Sequence, residues 1–142
     1  MMLIVSACLA GVECRYNGSP FPIPAILNMV KLGLALPVCP EILGGFAIPR
    51  PPAEIRHGRI VFNTGEDVTE QFLRGANAAC AIALTIGCQK AIVKSKSPSC
   101  GCGSIYDGTF SGTLIDGDGI FTKLLKEQGI KVLTEDNLEE LY

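Results

Sequence analysis

The sequence has no excess of positive charge and no long hydrophobic run. Its 12 lysines and arginines are outnumbered by 14 acidic residues, which leaves a formal net charge of −2. Such a chain presents no general positive field to a phosphate backbone, which argues against duplex DNA or RNA as a partner. No segment approaches the roughly 18 consecutive apolar residues that span a bilayer. We therefore expect a small-molecule ligand and no membrane association.

The sequence also has few charged residues, and its first residues do not form a convincing export signal. Only 18% of the 142 residues are charged whereas 48% are hydrophobic, which excludes a disordered chain. A chain of this length is expected to form one domain, residues 1–142, around a single core. Segment 1–8 ends like a short lipoprotein signal, but no lysine or arginine precedes its brief apolar run. We therefore expect a cytoplasmic protein.

Cysteine is the residue type that stands out. The seven cysteines are Cys8, Cys14, Cys39, Cys80, Cys88, Cys100 and Cys102. An odd number without a secretory signal disfavours a disulfide framework, and a reducing cytosol leaves thiols free for metal binding or catalysis. Cys80 and Cys88 lie in or just after an apolar helical segment, so we expect them to be small core residues.

Strand-like and helix-like segments alternate along the chain. Strands are predicted over 3–7, 34–38, 91–93 and 130–133, with a small hairpin around 60–62. Helices are predicted over 23–31, 71–86 and 118–128, with a final helical turn over 136–141 and a loop over 44–58. This order is typical of an α/β protein, here a single-domain Rossmann-like three-layer fold with a mainly parallel sheet.

Three of the cysteines follow predicted strands of that sheet. Cys8 and Cys39 come at or just after strand ends, and Cys100 lies in a loop, 94–103, that begins where a third strand ends. Pro98 restricts that loop, and Gly101 and Gly103 let its backbone fold closely around Cys100, which favours a built site over a solvent loop. Ligands of parallel sheets gather outside the carboxyl ends of the strands. We therefore expect the three thiols to meet at one edge of the sheet.

Three convergent thiolates have two common uses. They bind zinc with an open fourth position, or they hold an iron–sulfur cluster that keeps one iron free. The chain has no Cys-x-x-Cys pair of the kind that favours structural zinc, and ligands dispersed over three loops suit a cluster slightly better. Cys14 and Cys102 remain possible fourth ligands, which would close the site.

Two polar residues accompany these cysteines. Glu41 stands two positions after Cys39, and Ser97 three positions before Cys100. A carboxylate beside a metal-bound electrophile can deprotonate water, and a hydroxyl can hold that water or the substrate. The plainer interpretations are a loop carboxylate and a turn-stabilising serine. His57, the only histidine, is expected in a solvated turn.

The order of several motifs makes the chain resemble a known family. The matching segments are 6–12 with 14–16, 37–41 with 44–45, 49–55, 67–69, 96–101, and 106–108 with 110. Together they resemble the small iron–sulfur family of thiouracil desulfidases along nearly the whole chain.

The resemblance implies a 4Fe-4S cluster that is held by three cysteines only, Cys8, Cys39 and Cys100. The fourth iron would accept the sulfur of a thiolated base, and water placed by Glu41 and Ser97 would attack the carbon. The products would be the oxo base and hydrosulfide, without net redox change.

Two other functions fit the residues. An open-iron hydratase or dehydratase of hydroxy acids would need a basic clamp, for which Arg15, Arg50 and Arg56 are candidates. A non-catalytic iron–sulfur or zinc module would need only the thiols. The oligomeric state and the physiological substrate are not encoded in these motifs.

Overall fold

The structure is a computed structural model that describes residues 2–141. Its strands are β1 (Leu3–Ser6), β2 (Ala35–Val38), β3 (Ala53–Arg56), β4 (Arg59–Phe62), β5 (Lys90–Val93), β6 (Ser104–Tyr106), β7 (Leu114–Asp116) and β8 (Lys131–Thr134). Its helices are α1 (Pro24–Lys31), α2 (Pro40–Leu43), α3 (Thr69–Thr85) and α4 (Ile120–Glu127). Short 3-10 segments cover Ala7–Ala10 and Glu135–Leu141.

A parallel sheet with the order β2-β1-β5-β8 forms the centre of the fold. Successive residues of β1 face opposite layers because side chains alternate along a strand. Ile4 packs with α3 and α4, whereas its neighbour Val5 packs with Ile26 of α1. The predicted three-layer α/β fold with a mainly parallel sheet is confirmed.

Pro37 explains why β2 lies at the edge of the sheet. A proline has no N–H to donate to a ladder, so it is tolerated where a strand pairs on one side only. Pro37 sits opposite Val5 in the register of β1 with β2, and β1 is the one neighbour of β2 in the sheet. A proline inside the predicted strand 34–38 would interrupt the ladder of a central strand, and the edge position of β2 resolves this difficulty.

Four short elements, β3, β6, β7 and α2, were not predicted from the sequence. β3 lies at the end of the predicted loop 44–58 and pairs with β4, which confirms the small hairpin predicted around 60–62. The turn around 107–110 belongs to a second hairpin, β6 with β7. The one-turn helix α2 follows Cys39 directly. Such short elements carry little periodicity, and their stability comes from contacts with distant segments.

Gly75 of α3 determines where α2 lies. A Cβ at Gly75 would overlap the carbonyl oxygen of Pro40, so only glycine lets the two helices approach this closely. Because Glu41 is the next residue in α2, this contact also places its carboxylate relative to the sheet. Within residues 2–141, no helix has both the length and the apolar character needed to cross a membrane.

Candidate active site and metal centre

A cavity of about 700 Å³ opens at the carboxyl edge of the parallel sheet. The cysteines that line it are Cys8, Cys14, Cys39 and Cys100, and Glu41 and Ser97 line it as well. The structure therefore brings all five of the predicted site residues to one cavity, together with a fourth thiol. Cys80 and Cys88 lie in the core that α3 and α4 form with the sheet, as expected.

Each predicted cysteine is placed by a different element. Cys8 lies in the 3-10 turn that follows β1, and Cys39 is the residue that precedes α2. Cys100 lies in the loop after β5, where its carbonyl accepts a 2.8 Å hydrogen bond from the Thr122 hydroxyl of α4. The arrangement follows from parallel topology, because the carboxyl ends of β1, β2 and β5 are neighbours.

Cys14 and Cys102, the two possible fourth ligands, have different surroundings. Cys14 is buried and its thiol contacts those of Cys8 and Cys39. Cys102 does not line the cavity, and its thiol faces the carbonyl of Val132 at 3.9 Å. Of the two, only Cys14 belongs to the site.

Burial and mutual contact favour the protonated form of Cys14, Cys39 and Cys100. The hydrogen bond to Cys14 and burial raise the pKa of Cys39, and burial raises the pKa of Cys100. For Cys14, the bond with Cys39 lowers the pKa, but the bond with Cys8 and burial outweigh it and raise the pKa to about 11. When a metal cation binds such buried thiols, its positive charge stabilises the thiolates and the protons leave to solvent.

The donor set fits an iron–sulfur cluster. Clusters take thiolate ligands, and four thiols from three connections of the fold share this cavity. Among residues 2–141, no three His, Cys, Asp or Glu side chains are grouped to enclose a single metal ion. A four-iron cluster takes its thiolate ligands around a wider centre than a single ion does.

Glu41 is held by a buried arginine. Arg50 approaches the Oε1 atom of Glu41 with Nε and Nη2, each at 3.0 Å, and also donates to the carbonyl of Cys14 at 2.7 Å. The side chains are 4% and 16% exposed, so water screens the pair weakly. Burial raises the pKa of Glu41, and the charge and hydrogen bond of Arg50 offset this in part. The result is a carboxylate with a fixed orientation at the cavity wall.

Ser97 combines a structural contact with exposure to the cavity. Its hydroxyl oxygen accepts the N–H groups of Ser99 and Cys100 at 3.1 and 3.0 Å. The turn-stabilising interpretation of this serine is therefore correct, but it does not exclude a second role. With both lone pairs engaged, the hydroxyl can act only as a donor towards the cavity.

Arg50 and Glu135 are the important residues whose contacts the sequence did not indicate. Arg50 was considered only as part of a basic clamp, and nothing in its Pro-rich segment shows that it pairs with Glu41. Glu135 follows β8 directly, so the rule that strand ends meet at one edge could have found it. Its Oε1 accepts the N–H of Ser95 at 2.7 Å, and its Oε2 accepts the Ser95 hydroxyl at 2.9 Å and pairs with Lys94 at 3.0 Å.

The loss of Glu135 should destabilise the protein in a pH-dependent way. Burial raises the pKa of Glu135, but the bonds from Ser95 and Lys94 outweigh it and lower the pKa overall. A carboxyl group whose pKa is lower in the folded than in the unfolded state stabilises the fold at pH values above its unfolded pKa of about 4.3. This stabilisation is lost as the pH falls through the folded-state pKa. We expect Glu135→Gln to lower the free energy of unfolding by about 1–3 kcal/mol at pH 7, and by less near pH 3.

Urea denaturation at the two pH values measures this difference. Glu139→Gln, at an exposed position of the same 3-10 segment, is the control and should have little effect. An equal loss at both pH values would show that the Glu135 charge does not anchor the loop.

The arginine clamp that a hydratase would need is not assembled. Arg50 is committed to Glu41, and Arg56 donates to the carbonyl of Gly108 at 2.8 Å. Arg15 lines the cavity, but its guanidinium lies 5.6 Å from the centre of the Phe21 ring. His57 is exposed in the β3–β4 turn and does not line the cavity.

Parallel-sheet topology, a thiol-lined cavity at the carboxyl edge and a buried carboxylate are the features of an α/β enzyme with a cysteine-lined active site. The profile of the 2-thiouracil desulfurase family matches residues 3–137, and the chain belongs to this family.

Two relatives illustrate the relationship. The uncharacterized protein YbbK of Bacillus subtilis (strain 168) is 45% identical over 150 residues, which cover 99% of both chains. The solved structure of the [4Fe-4S]-dependent thiouracil desulfidase TudS is 44% identical, with a TM-score of 0.94, and the match covers 99% of this chain and 94% of that one. The resemblance seen in the sequence is confirmed.

Proposed function

We propose that this protein is a 4Fe-4S-dependent desulfidase that converts a thiouracil-like base into the oxo base. The carbon–sulfur bond breaks, the oxygen of one water forms the new carbonyl, and sulfur leaves as hydrosulfide, so no electron donor or acceptor is needed. One observation carries the proposal: Cys8, Cys39 and Cys100 share a cavity with Glu41 and Ser97 in a chain of the 2-thiouracil desulfurase family.

Cys8, Cys39 and Cys100 are the ligands that we assign to the cluster, with one iron left without a protein ligand. When bound, the cluster supplies a Lewis-acidic iron that accepts sulfur and makes the adjacent carbon more electrophilic. All seven cysteines are free thiols, which fits the reducing cytoplasm where we place the reaction.

Glu41 is the general base in this proposal. Arg50 occupies its Oε1 atom at 3.0 Å and leaves Oε2 available to a water in the cavity. Burial favours the protonated form of the carboxyl group, so Glu41 gains affinity for the proton that the water releases. The same ion pair keeps the carboxylate from turning away between turnovers.

Ser97 complements the base as a donor. Because its oxygen already accepts two backbone N–H groups, its proton is directed to the cavity, where it can bind the water oxygen or a substrate heteroatom. A base and a donor that line the same cavity can hold the water between them. Positioning of this kind contributes to rate because the reacting atoms are already aligned.

Anaerobic reconstitution with iron and sulfide tests the function. We expect about four irons per chain, loss of thiouracil absorbance, and release of hydrosulfide in equal amount to the oxo base. In water enriched in oxygen-18, the label should appear in the product carbonyl. An intact cluster without turnover of any thiolated base would refute the enzymatic proposal, and colourless protein with one zinc would favour a metal-binding module.

A further inference from the structure

The tip of the β6–β7 hairpin is held against β3 by a single carboxylate. The Oε1 atom of Glu54 accepts the N–H groups of Gly108 and Phe110, each at 3.0 Å. Glu54 lies 54 and 56 positions before these residues, so the contact is tertiary and not part of the turn itself. Glu54 and Phe110 both line the thiol cavity. The two hydrogen bonds therefore fix the hairpin tip at the cavity wall.

Arg56 holds the same tip from β3. Its Nε atom donates to the carbonyl of Gly108 at 2.8 Å. A Cβ at Gly108 would lie 2.6 Å from the Cβ of Arg56 and 2.8 Å from the carbonyl oxygen of Ile55, so only glycine lets the two strands approach this closely. The hairpin and β3 form one closely packed wall.

Phe110 has a backbone conformation that residues with a side chain rarely adopt. Its φ angle is 58°, in the left-handed region, where a Cβ is disfavoured. Residues in such conformations persist where surrounding contacts impose them, and they cluster at active sites and ligand clamps. The bond from the Phe110 N–H to Glu54 is a contact of this kind. It places an aromatic ring at the cavity at a cost in backbone free energy.

The Phe110 ring is less occupied than the other phenylalanine ring of the cavity. The guanidinium of Arg56 lies 5.9 Å from the centre of the Phe110 ring, but Arg56 does not line the cavity. The ring of Phe21 has two cations beside it, Lys94 Nζ at 4.6 Å and the Arg15 guanidinium at 5.6 Å. Phe110 therefore has the ring that is better able to accept a flat ligand from the cavity.

We propose that Phe110 is a specificity-determining residue on whose ring the base stacks, and that Glu54 is the positioning residue that holds this ring in place. Stacking suits a planar heterocycle because every base has a π-face that matches an aromatic ring. The ligand class is then a flat pyrimidine-like ring with its sulfur directed to the thiols. The assignment deepens the proposed function and rests on it for the reaction, but not for the binding of a base.

Steady-state kinetics of the reconstituted enzyme test both residues. We expect Phe110→Leu and Glu54→Ala each to raise the KM for thiouracil about 10-fold, with kcat and iron content unchanged. Stacking holds the base equally before and during the reaction, so its loss changes binding alone. Glu54→Gln should keep the KM low, because an amide oxygen still accepts the two N–H groups. A loss of kcat without a change of KM in Phe110→Leu would overturn the proposal.

A double-mutant cycle tests whether Glu54 acts through Phe110. In the Phe110→Leu background, Glu54→Ala should not raise the KM further, since residues that act as one unit are not additive. A second 10-fold rise in the double variant would show that Glu54 acts on binding by another route.

Asp107→Ala is the matched control in the same hairpin. The Oδ1 atom of Asp107 accepts the N–H of Thr109 at 2.9 Å, so the variant also removes a carboxylate from a backbone N–H of the tip. Asp107 does not line the cavity, and the KM should stay unchanged. An equal rise of KM in Asp107→Ala and Glu54→Ala would show that any disturbance of the hairpin weakens binding, and would reject the role of Glu54.

Fluorescence supplies a measurement that is independent of turnover. The chain has no tryptophan, so Phe110→Trp and Phe21→Trp each report from one position. We expect uracil, an oxo base, to quench the emission of Phe110→Trp in a saturable way and to leave that of Phe21→Trp unchanged. Saturable quenching in Phe21→Trp alone would overturn the proposal and assign the base to that ring. Saturable quenching in Phe110→Trp by a protein that desulfurates no thiolated base would retain the stacking site and reject the proposed function.

Discussion

Cys100→Ala should leave the protein unable to retain iron, whereas Cys80→Ala should retain it. Both cysteines are buried, at 5% and 7% exposure, and both belong to the same hydrophobic cluster of the core. The two substitutions therefore remove the same atoms from comparable surroundings. The expected difference arises because only Cys100 lines the cavity and can supply a thiolate to the cluster.

Iron and sulfide analysis after anaerobic reconstitution measures the outcome, with urea unfolding as a check on folding. Cys8→Ala and Cys39→Ala should behave as Cys100→Ala does. Equal loss of iron in Cys100→Ala and Cys80→Ala would show that the cavity thiols are not the ligands.

Cys14→Ser decides between three and four ligands. With Cys8, Cys39 and Cys100 as the whole set, Cys14→Ser should keep about four irons per chain and its turnover. Loss of iron as severe as in Cys100→Ala would show that Cys14 also binds. In that case no iron remains open to the substrate sulfur.

Glu41→Gln should abolish most of the turnover while the cluster stays in place. General-base catalysis contributes about 10²- to 10⁴-fold, and glutamine cannot accept the proton of the water. The substitution keeps the shape of the side chain and its acceptor oxygen for Arg50, so the fold should be retained. Anaerobic thiouracil kinetics and iron content of the same sample separate the two effects.

Glu70→Gln is the matched control for Glu41→Gln. Glu70 also lies in the first turn of a helix and also faces an arginine, with Arg59 Nη2 at 3.7 Å. Its side chain is 78% exposed and does not line the thiol cavity, so turnover should be unchanged. If Glu41→Gln retained full activity, the general base would have to be another group.

Much of the fold was predictable from local patterns. The central strands are short apolar runs such as 91–93, and the helices between them have helical spacing and glycine stops. Burial on both faces of the sheet produces the apolar runs, and burial of one helix face produces the helical spacing, so both patterns can be recognised in the sequence alone. The β6–β7 hairpin was not predictable in this way, because three-residue strands have almost no periodicity and depend on their partner strands.

The cysteines show that the direction of a side chain in the site could not be predicted from the sequence. Cys14 and Cys102 lie near predicted ligands in the sequence, but Cys14 turns into the cavity and Cys102 towards Val132. Irregular loops lack the regular side-chain periodicity of helices and strands, so the sequence does not indicate which way their side chains point. Their orientation follows from hydrogen bonds with remote residues, as when Arg50 binds the carbonyl of Cys14.

The amino-acid sequence by itself determined the α/β class, the parallel order of strands and the arrival of Cys8, Cys39 and Cys100 at one edge, because strand ends in a parallel sheet are neighbours by construction. Only the tertiary structure decided that Arg50 pairs with Glu41 and that Cys14 is the fourth thiol of the cavity. These contacts join loops that are distant along the chain, and packing of the whole domain brings them together.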